Sequence, residues 1–503
     1  MPVRLLLIFL LSFAGIKNGT AAPYTYEYDD NCSKAYQYFL SLHLQEGRVL
    51  LAAEAKANPT NLMATYLADY EDCIVLLLNC DKTEYARRAD HLDERIALLD
   101  KGEPSSPWYR FCKAGVYLHR AIAEIRFGDQ YKAALNFRRS FSLLKENERL
   151  FPTFEYNSIF TGLEEAVIGS LPGSYKWLAG AFGMKGDVKK GTAKLANFVS
   201  THTAQQPFRA ETVLYYLYAR FYMLSEQQQA WDYLNSAQFP TTGNLLNTFA
   251  KVNIALDYRK SAVALQVLKQ WDGDATIYAY PIFDYQHGMA LLSKADTLCT
   301  YYFARYLRNN KSDIYIKDVW QKMAFAWYVN GNMQKANYCL QQVKTQGNTR
   351  LDADKQAKRF AESNTWPLRP LLQARLLIDG GYYEQALAIL NKIDEATLAN
   401  PADKAEYHFR LGRIYEETAT GAGAAQNTKL ALANYRAAML AGKDRHEQFA
   451  ARAALQIGSI YEQRGMKNEA VSMYNQCLDM PAHDFQNSID QQAKAGINRI
   501  ATP

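Results

Sequence analysis

The stretch from Ala451 to Asp484 constrains the fold of this chain more than any other. It reads A-R-A-A-L-Q-I-G-S-I-Y-E-Q-R-G-M-K-N-E-A-V-S-M-Y-N-Q-C-L-D-M-P-A-H-D. Ala454, Ile457, Gly458 and Tyr461 recur at spacings of three and four, which places them on one face of a helix. Ala470 and Tyr474 mark a second helix, and Gly465 supplies the turn between the two. Small Gly458 and Ala470 let the helices approach closely, while Tyr461 and Tyr474 fill the space beside them. A lone hairpin of this kind cannot bury its own apolar face, so neighbours must stack on it. A chain of 503 residues built by stacking escapes the size limit of a single globular core.

These offsets resemble the tetratricopeptide (TPR) pattern W-x2-L-G-x2-Y…A-x3-F…P, with alanine in the first slot and Pro481 one position early. The resemblance implies an all-α fold, a right-handed α-solenoid of stacked TPR-like helix hairpins. The same marks recur upstream, most clearly over 317–350, 367–400, 405–445 and 451–484. Trp320, Met323, Ala324, Trp327, Gly331, Ala336 and Leu340 carry the first of these, and Ala374, Leu377, Gly381, Ala386 and Leu390 the second. Leu411, Gly412, Tyr415, Ala431 and Tyr435 carry the third, with seven extra residues around Thr418 to Gln426 expected as a loop at the hairpin tip. Thr345 to Thr365 reads as a polar connection. Residues 245–310 keep helical periodicity without clean repeat marks.

The chain divides into a leader (1–22), an N-terminal helical region with degenerate hairpins (23–205) and a repeat array (206–503). Met1 to Ala22 reads as a secretory signal peptide: Arg4 is the basic start, Leu5 to Phe13 the apolar run, and Gly19-Thr20-Ala21-Ala22 the small residues for cleavage. The apolar run is shorter than the roughly 20 residues a spanning helix needs, and no other run approaches that length. Ala35, Tyr38, Phe39 and Leu42 form a helical face; Thr60 is the expected cap of the next helix, and Thr83 to Asp100 a further, more charged one. Tyr117, Ala121, Gly128, Ala133 and Phe137 fit a degenerate repeat in which Arg120 and Glu124 spoil two apolar slots. In the unit from Glu211, Tyr218 is oversized for its position.

Residues 162–195 depart from the repeat. Pro172-Gly173 interrupts one helix, and Gly180, Gly183 and Gly186 shorten the next. Leu171-Pro172, Lys176, Leu178, Phe182, Gly186-Asp187, Gly191 and Leu195 resemble the L-P…K-x-L…G-F-x-G-D…G-x-x-x-L signature of the eukaryotic inclusion-body-clearance family of TPR proteins. The Phe182 to Gly186 spacing is longer here, and Val188 stands where that family has a basic residue. The resemblance implies an adaptor-like, helical, non-enzymatic protein. Read from its residues alone, the segment is either a kinked buried hairpin or a surface element that touches lipid.

The formal net charge of +6 is spread along the chain without a Lys/Arg block, which argues against nucleic acid as the main partner. All seven cysteines lie beyond the leader. Cys73 and Cys80, on one continuous helix, would stand about 10 Å apart along its axis, too far for a disulfide, so core packing is the expectation. The eight histidines are scattered, and no H-E-x-x-H, G-x-S-x-G, C-x-x-C or phosphate-loop pattern occurs. Asp272-x-Asp274 and Asp352-x-Asp354 lack the further ligands of a calcium loop and read as helix caps. No cofactor and no metal are expected, and the chain is not read as an enzyme.

Binding is the positive expectation. The repeat registers place Gln321, Phe325 and Tyr328, then Leu371, Arg375 and Ile378, then Phe409, Arg413 and Glu416, then Leu455, Ser459 and Glu462 on the concave side of the solenoid. Three aromatics and two arginines among them suit the grip of a peptide or protein partner. The expected protein is an exported, periplasmic or envelope-associated scaffold, with peripheral membrane association possible in principle and no transmembrane segment after leader removal. The alternative is a glycan- or nutrient-binding protein of the SusD-like helical type. Such proteins carry a lipidated Cys at the cleavage point, and Cys32 lies about ten residues beyond it.

Overall fold

The computed structural model describes residues 23–171, 179–180, 182–363 and 365–501. Every regular element among them is helical, and the chain is an all-α stack of helices packed in adjacent pairs. Helices α1 (Asp30–Leu40) and α2 (Leu44–Ala57) form the first hairpin, against which α3 (Leu62–Asn79) packs. Short helices α4 (Lys82–Arg87) and α5 (His91–Leu99) lead to the hairpin of α6 (Pro107–Phe127) and α7 (Gln130–Leu150). Helix α8 (Asn157–Ser170) pairs with α9 (Val188–Thr201). Helix α10 (Arg209–Tyr218) runs into a π-helical turn, Ala219–Met223, before α11 (Gln227–Leu234).

The middle of the chain pairs α12 (Leu245–Asp257) with α13 (Ser261–Lys269) and then, after α14 (Ala275–Tyr278), α15 (Pro281–Leu292) with α16 (Cys299–Asn309). Helices α17 (Ile316–Val329) and α18 (Met333–Thr345) carry α19 (Asp352–Ser363) as a third member. The last hairpins are α20 (Arg369–Gly380) with α21 (Tyr383–Leu390), α22 (Pro401–Glu417) with α23 (Ala424–Ala441), and α24 (Phe449–Gln463) with α25 (Lys467–Leu478). Helix α26 (Gln486–Ala501) closes the stack.

One backbone device recurs at the hairpin tips. Two residues before the second helix, the chain takes a left-handed conformation, at Gly128, Gly331, Gly381 and Gly465 with φ between +74° and +88°. Glycine has no Cβ to clash there, which is why it marks these turns in the sequence. Leu42, Ser225 and Arg259 occupy the same place in the hairpins α1–α2, α10–α11 and α12–α13, with φ of 61°, 59° and 56°. Those hairpins have the same tip without the sequence mark. Within the hairpins, Gly412 and Gly458 make room for large partners: a Cβ added at either would stand 2.6 Å from the ring of Tyr435 or Tyr474.

Several local expectations are corrected. Asn61, not Thr60, caps α3, accepting from the Met63 amide at 3.2 Å. The charged helix expected over Thr83 to Asp100 is two helices, α4 and α5. Helix α3 stops at Asn79, and Cys80 follows it in a left-handed conformation; all seven thiols are buried and free. The residues inserted after Thr418 do not all form a loop, because α23 begins at Ala424 and takes up part of the insertion as helix. Arg120 and Glu124 do not spoil their hairpin. They pair at 3.0 Å, and buried Glu124 accepts both Asn136 amide bonds, at 2.9 and 3.1 Å.

The Thr345–Thr365 stretch, expected as a connection, contains α19. Asp354 is fully buried and accepts from the Tyr315 and Asp318 amides at 2.9 and 3.1 Å, so it caps α17 from a neighbouring helix. Asp274 caps its own helix, α14. Pro172, Gly173, Lys176, Trp177 and Leu178 lie outside the described residues. Beyond them, α8 and α9 touch backbone to backbone, and a Cβ on Gly191 would meet the Gly162 carbonyl at 2.4 Å.

The largest apolar core runs from Cys32 to Ala290 and crosses residue 205 without a break. The first helices also meet the middle of the chain directly. Tyr280 donates its hydroxyl to the Leu42 carbonyl at 3.0 Å, Lys82 pairs with Asp313 at 2.5 Å, and Arg350 donates to the Phe127 carbonyl at 3.1 Å. The N-terminal half therefore closes on the segment 280–350 instead of stacking only on its sequence neighbours.

Candidate binding face of the C-terminal hairpins

The positions picked out by the repeat register fall on the first helix of each hairpin, and the structure treats them very differently. Around α17 they face the chain itself. Gln321 and Phe325 are buried. Phe325 meets Phe360 of α19 edge-on at 5.0 Å, and Tyr328 stacks on Trp366 at 4.4 Å while its hydroxyl donates to the Pro367 carbonyl. Helix α19 and Trp366 cover this stretch, so Gln321 and Phe325 cannot line an open groove. Leu371, Ile378, Leu455 and Phe409 are buried too, and Phe409 packs against Tyr435 and Phe449. An apolar side chain at the edge between stacked hairpins gains more from burial than from solvent.

Of the charged positions, Arg413, Glu416 and Glu462 are half-buried and Arg375 is exposed. Arg413 pairs with Glu416 at 2.9 Å and Glu417 at 2.5 Å, and it reaches Gln456 of the next hairpin at 3.3 Å. Glu416 takes the Tyr435 hydroxyl at 2.5 Å, and its burial raises its pKa above the usual carboxylate value. One unit on, Glu462 makes the equivalent bond with Tyr474 at 2.5 Å but also pairs with Arg499 of α26 at 2.8 Å. The Arg499 bond holds its pKa below the usual value. Ser459 is half-buried and accepts a long bond from Gln463. Arg375 is exposed and stands 3.7 Å from Asp379, a loose surface pair.

Two residues that the register did not select complete this face. Arg410 of α22 pairs with Glu406 at 2.7 Å and lies over the rings of Phe409 and Phe449, 5.7 and 5.6 Å from their centroids. Arg452 of α24 bonds Gln448 at 2.5 Å and lies 5.8 Å from the Phe485 ring centroid. Among the described residues no carboxylate pairs with it. Burial first, and then the charges of Arg410, Arg375 and Arg413, push the Arg452 guanidinium below its usual pKa range, with the Asp379 carboxylate opposing them in part. Three arginines, Arg375 of α20 and Arg410 and Arg413 of α22, thus act on Arg452, and each of the three has an acid of its own. Arg452 sits on the turn of α24 before the positions chosen from sequence, so extending the register by one helical turn would have found it.

A second polar cluster lies in the N-terminal half, on α3. Asp69, Glu71 and Asp72 are buried there and meet Arg88 of the α4–α5 turn, Arg95 and His91 of α5 and His119 of α6. Each acid has at least one cation within bonding distance, so the cluster reads as cross-links between helices. Among the described residues no group of His, Cys, Asp and Glu side chains could hold a metal ion, and no helix is long and apolar enough to cross a membrane. No protein-family model matches the chain, and no curated protein matches it.

Proposed function

We propose that this chain is a TPR-like protein-binding scaffold that holds a carboxylate-bearing segment of its partner against the face of α20, α22 and α24. The observation that carries this reading is Arg452. A half-buried guanidinium with no carboxylate in bonding distance among the described residues, pressed by three other arginines and only partly relieved by Asp379, gains from any carboxylate that reaches it, since charge-assisted bonds to Arg are roughly twice as strong as neutral ones. The hairpin stack supplies the rigid, repeated surface on which such a segment lies extended. The leader over 1–22 supports an exported protein working at the cell envelope, and a scaffold role needs no catalytic group.

The test is isothermal titration of short peptides that differ only in clustered Asp/Glu against Asn/Gln. Acidic peptides bind, and Arg452→Ala with Arg375→Ala removes the binding while the melting temperature holds. Equal affinity for the neutral peptides would sink the reading. The glycan-binding alternative has one observation in its favour: exposed Tyr278 and Tyr301 flank Arg305, whose guanidinium lies 4.5 and 5.5 Å from their ring centroids. Retention on polysaccharide columns that Tyr301→Ala abolishes would select it.

A further inference from the structure

An open groove of about 540 Å³ runs along the α6–α7 hairpin, far in sequence from the arginine face just described. Its α7 wall is the stripe Leu135, Arg138, Arg139, Ser142 and Leu143, spaced as one helix face, and Lys113 and Tyr117 of α6 form the other wall. No acidic side chain lines it among the described residues. Lys113 has Asp100 as a partner, but Arg138 and Arg139 are exposed and neither pairs with a carboxylate there. Each is instead laid over an aromatic ring. Arg138 stands 4.8 Å from the centroid of Phe182, and Arg139 stands 5.4 Å from that of Tyr117. Stacking orients the guanidinium planes. Arg139 donates one N–H of Nη1 to Asn136 Oδ1 at 3.2 Å, and the remaining N–H groups of the two arginines face the groove without a carboxylate among the described residues, which suits them to a phosphate.

The surroundings say which phosphate. Phe182 is 39% exposed and opens the turn Phe182-Gly183-Met184-Lys185, beyond which Lys189 and Lys190 are exposed on the first turn of α9. An exposed aromatic ring beside a basic patch is costly in water and gains from an acyl boundary. Leu135 and Leu143, one at each end of the stripe, offer apolar contact to either side of the arginine pair. A single-stranded nucleic acid would need open ring faces for its bases, and here arginines lie over Phe182 and Tyr117. We infer that the α6–α7 groove and the Phe182 turn are a docking surface for an anionic phospholipid membrane, with Arg138 and Arg139 on headgroup phosphates and Phe182 at the acyl boundary.

The experiment is co-sedimentation of the chain from Pro23, which carries every described element and lacks the apolar leader, with vesicles. One set is phosphatidylcholine alone, and the other is an equimolar mixture of phosphatidylcholine and phosphatidylglycerol. Binding is expected to the mixed vesicles only, weakening with added salt as exposed charges are screened. The double variant Arg138→Ala/Arg139→Ala should bind roughly thirtyfold more weakly, since each cation at an anionic surface contributes about a factor of five. Phe182→Ser should weaken binding at every salt concentration. All three side chains are exposed, so circular dichroism and melting should match the parent. Mixed-vesicle binding that the double variant leaves intact would overturn the assignment, as would binding to polyglutamate or RNA, but not to vesicles, that the double variant abolishes.

Discussion

Glu211 illustrates how strongly a single buried group can set the solution behaviour of this protein. It is fully buried beside Tyr36, Tyr66, Tyr70 and Tyr215, and burial raises its pKa to about 8. The unfolded chain binds this proton only up to the ordinary value of about 4.3, so folding takes up a proton between the two. The stability tied to it is complete below the unfolded pKa and is lost as pH rises through about 8. Glu164, also raised to about 8 by burial, adds to the same trend. Glu211→Gln should therefore flatten the pH dependence, raising stability at pH 9 by on the order of 5 kcal/mol relative to its effect at low pH, while changing little at pH 5. Urea titrations at the two pH values would show it, and equal shifts at both would refute the protonation account. Ser225 carries a smaller prediction. Its φ of 59° costs a non-glycine residue about 1 kcal/mol, and its exposed side chain makes no hydrogen bond among the described residues. Ser225→Gly should stabilise the chain by about 0.5–1 kcal/mol, readable as a higher melting temperature.

At the scale of elements, the hairpins of the C-terminal half depend on a glycine of one helix facing a tyrosine of the next. Gly458→Ala removes a poor helix former, which alone would gain up to about 1 kcal/mol. The added Cβ would stand 2.6 Å from the Tyr474 ring, and Tyr474 is fixed by its bond to Glu462. The clash should win, with a net cost of about 1–3 kcal/mol, and Tyr474→Leu in the same chain should recover part of it. A simple gain in stability would show that the α24–α25 contact is looser than drawn. The same logic explains what was legible. Gly412, Gly458, Gly381 and Gly465 mark close approaches and left-handed turns, and these hairpins were placed from sequence. The tips at Leu42, Ser225 and Arg259 carry no turn glycine, so only backbone geometry distinguishes them as turns. Arg259 also pairs with Glu417 at 2.8 Å, so its side chain is held by a helix far along the chain.

For the whole molecule, the strongest departure from a linear stack is the closure of the N-terminal half on residues 280–350. Arg350 joins the two, bonding the Phe127 carbonyl and pairing with Asp313, which also holds Lys82. Arg350→Ala should loosen this contact without melting either side. Amide hydrogen exchange should rise in α4 and at the end of α6, while α24 to α26 stay unchanged. A uniform rise over the whole chain would instead mean that the closure holds up the entire fold.

Sequence alone determined that the chain is helical and that its helices come in hairpins. It could do so because periodicity, small residues at close approaches and turn glycines are local features, each readable within one hairpin. It did not determine which face stays open. Phe325 and Phe409 stand at register positions that would face a ligand, yet α19 and a neighbouring hairpin bury them. Arg452 looked unremarkable in the sequence and became distinctive only when three other arginines were brought beside it. Burial and charge pairing depend on what the rest of the chain lays against a residue, and that is settled by the tertiary structure.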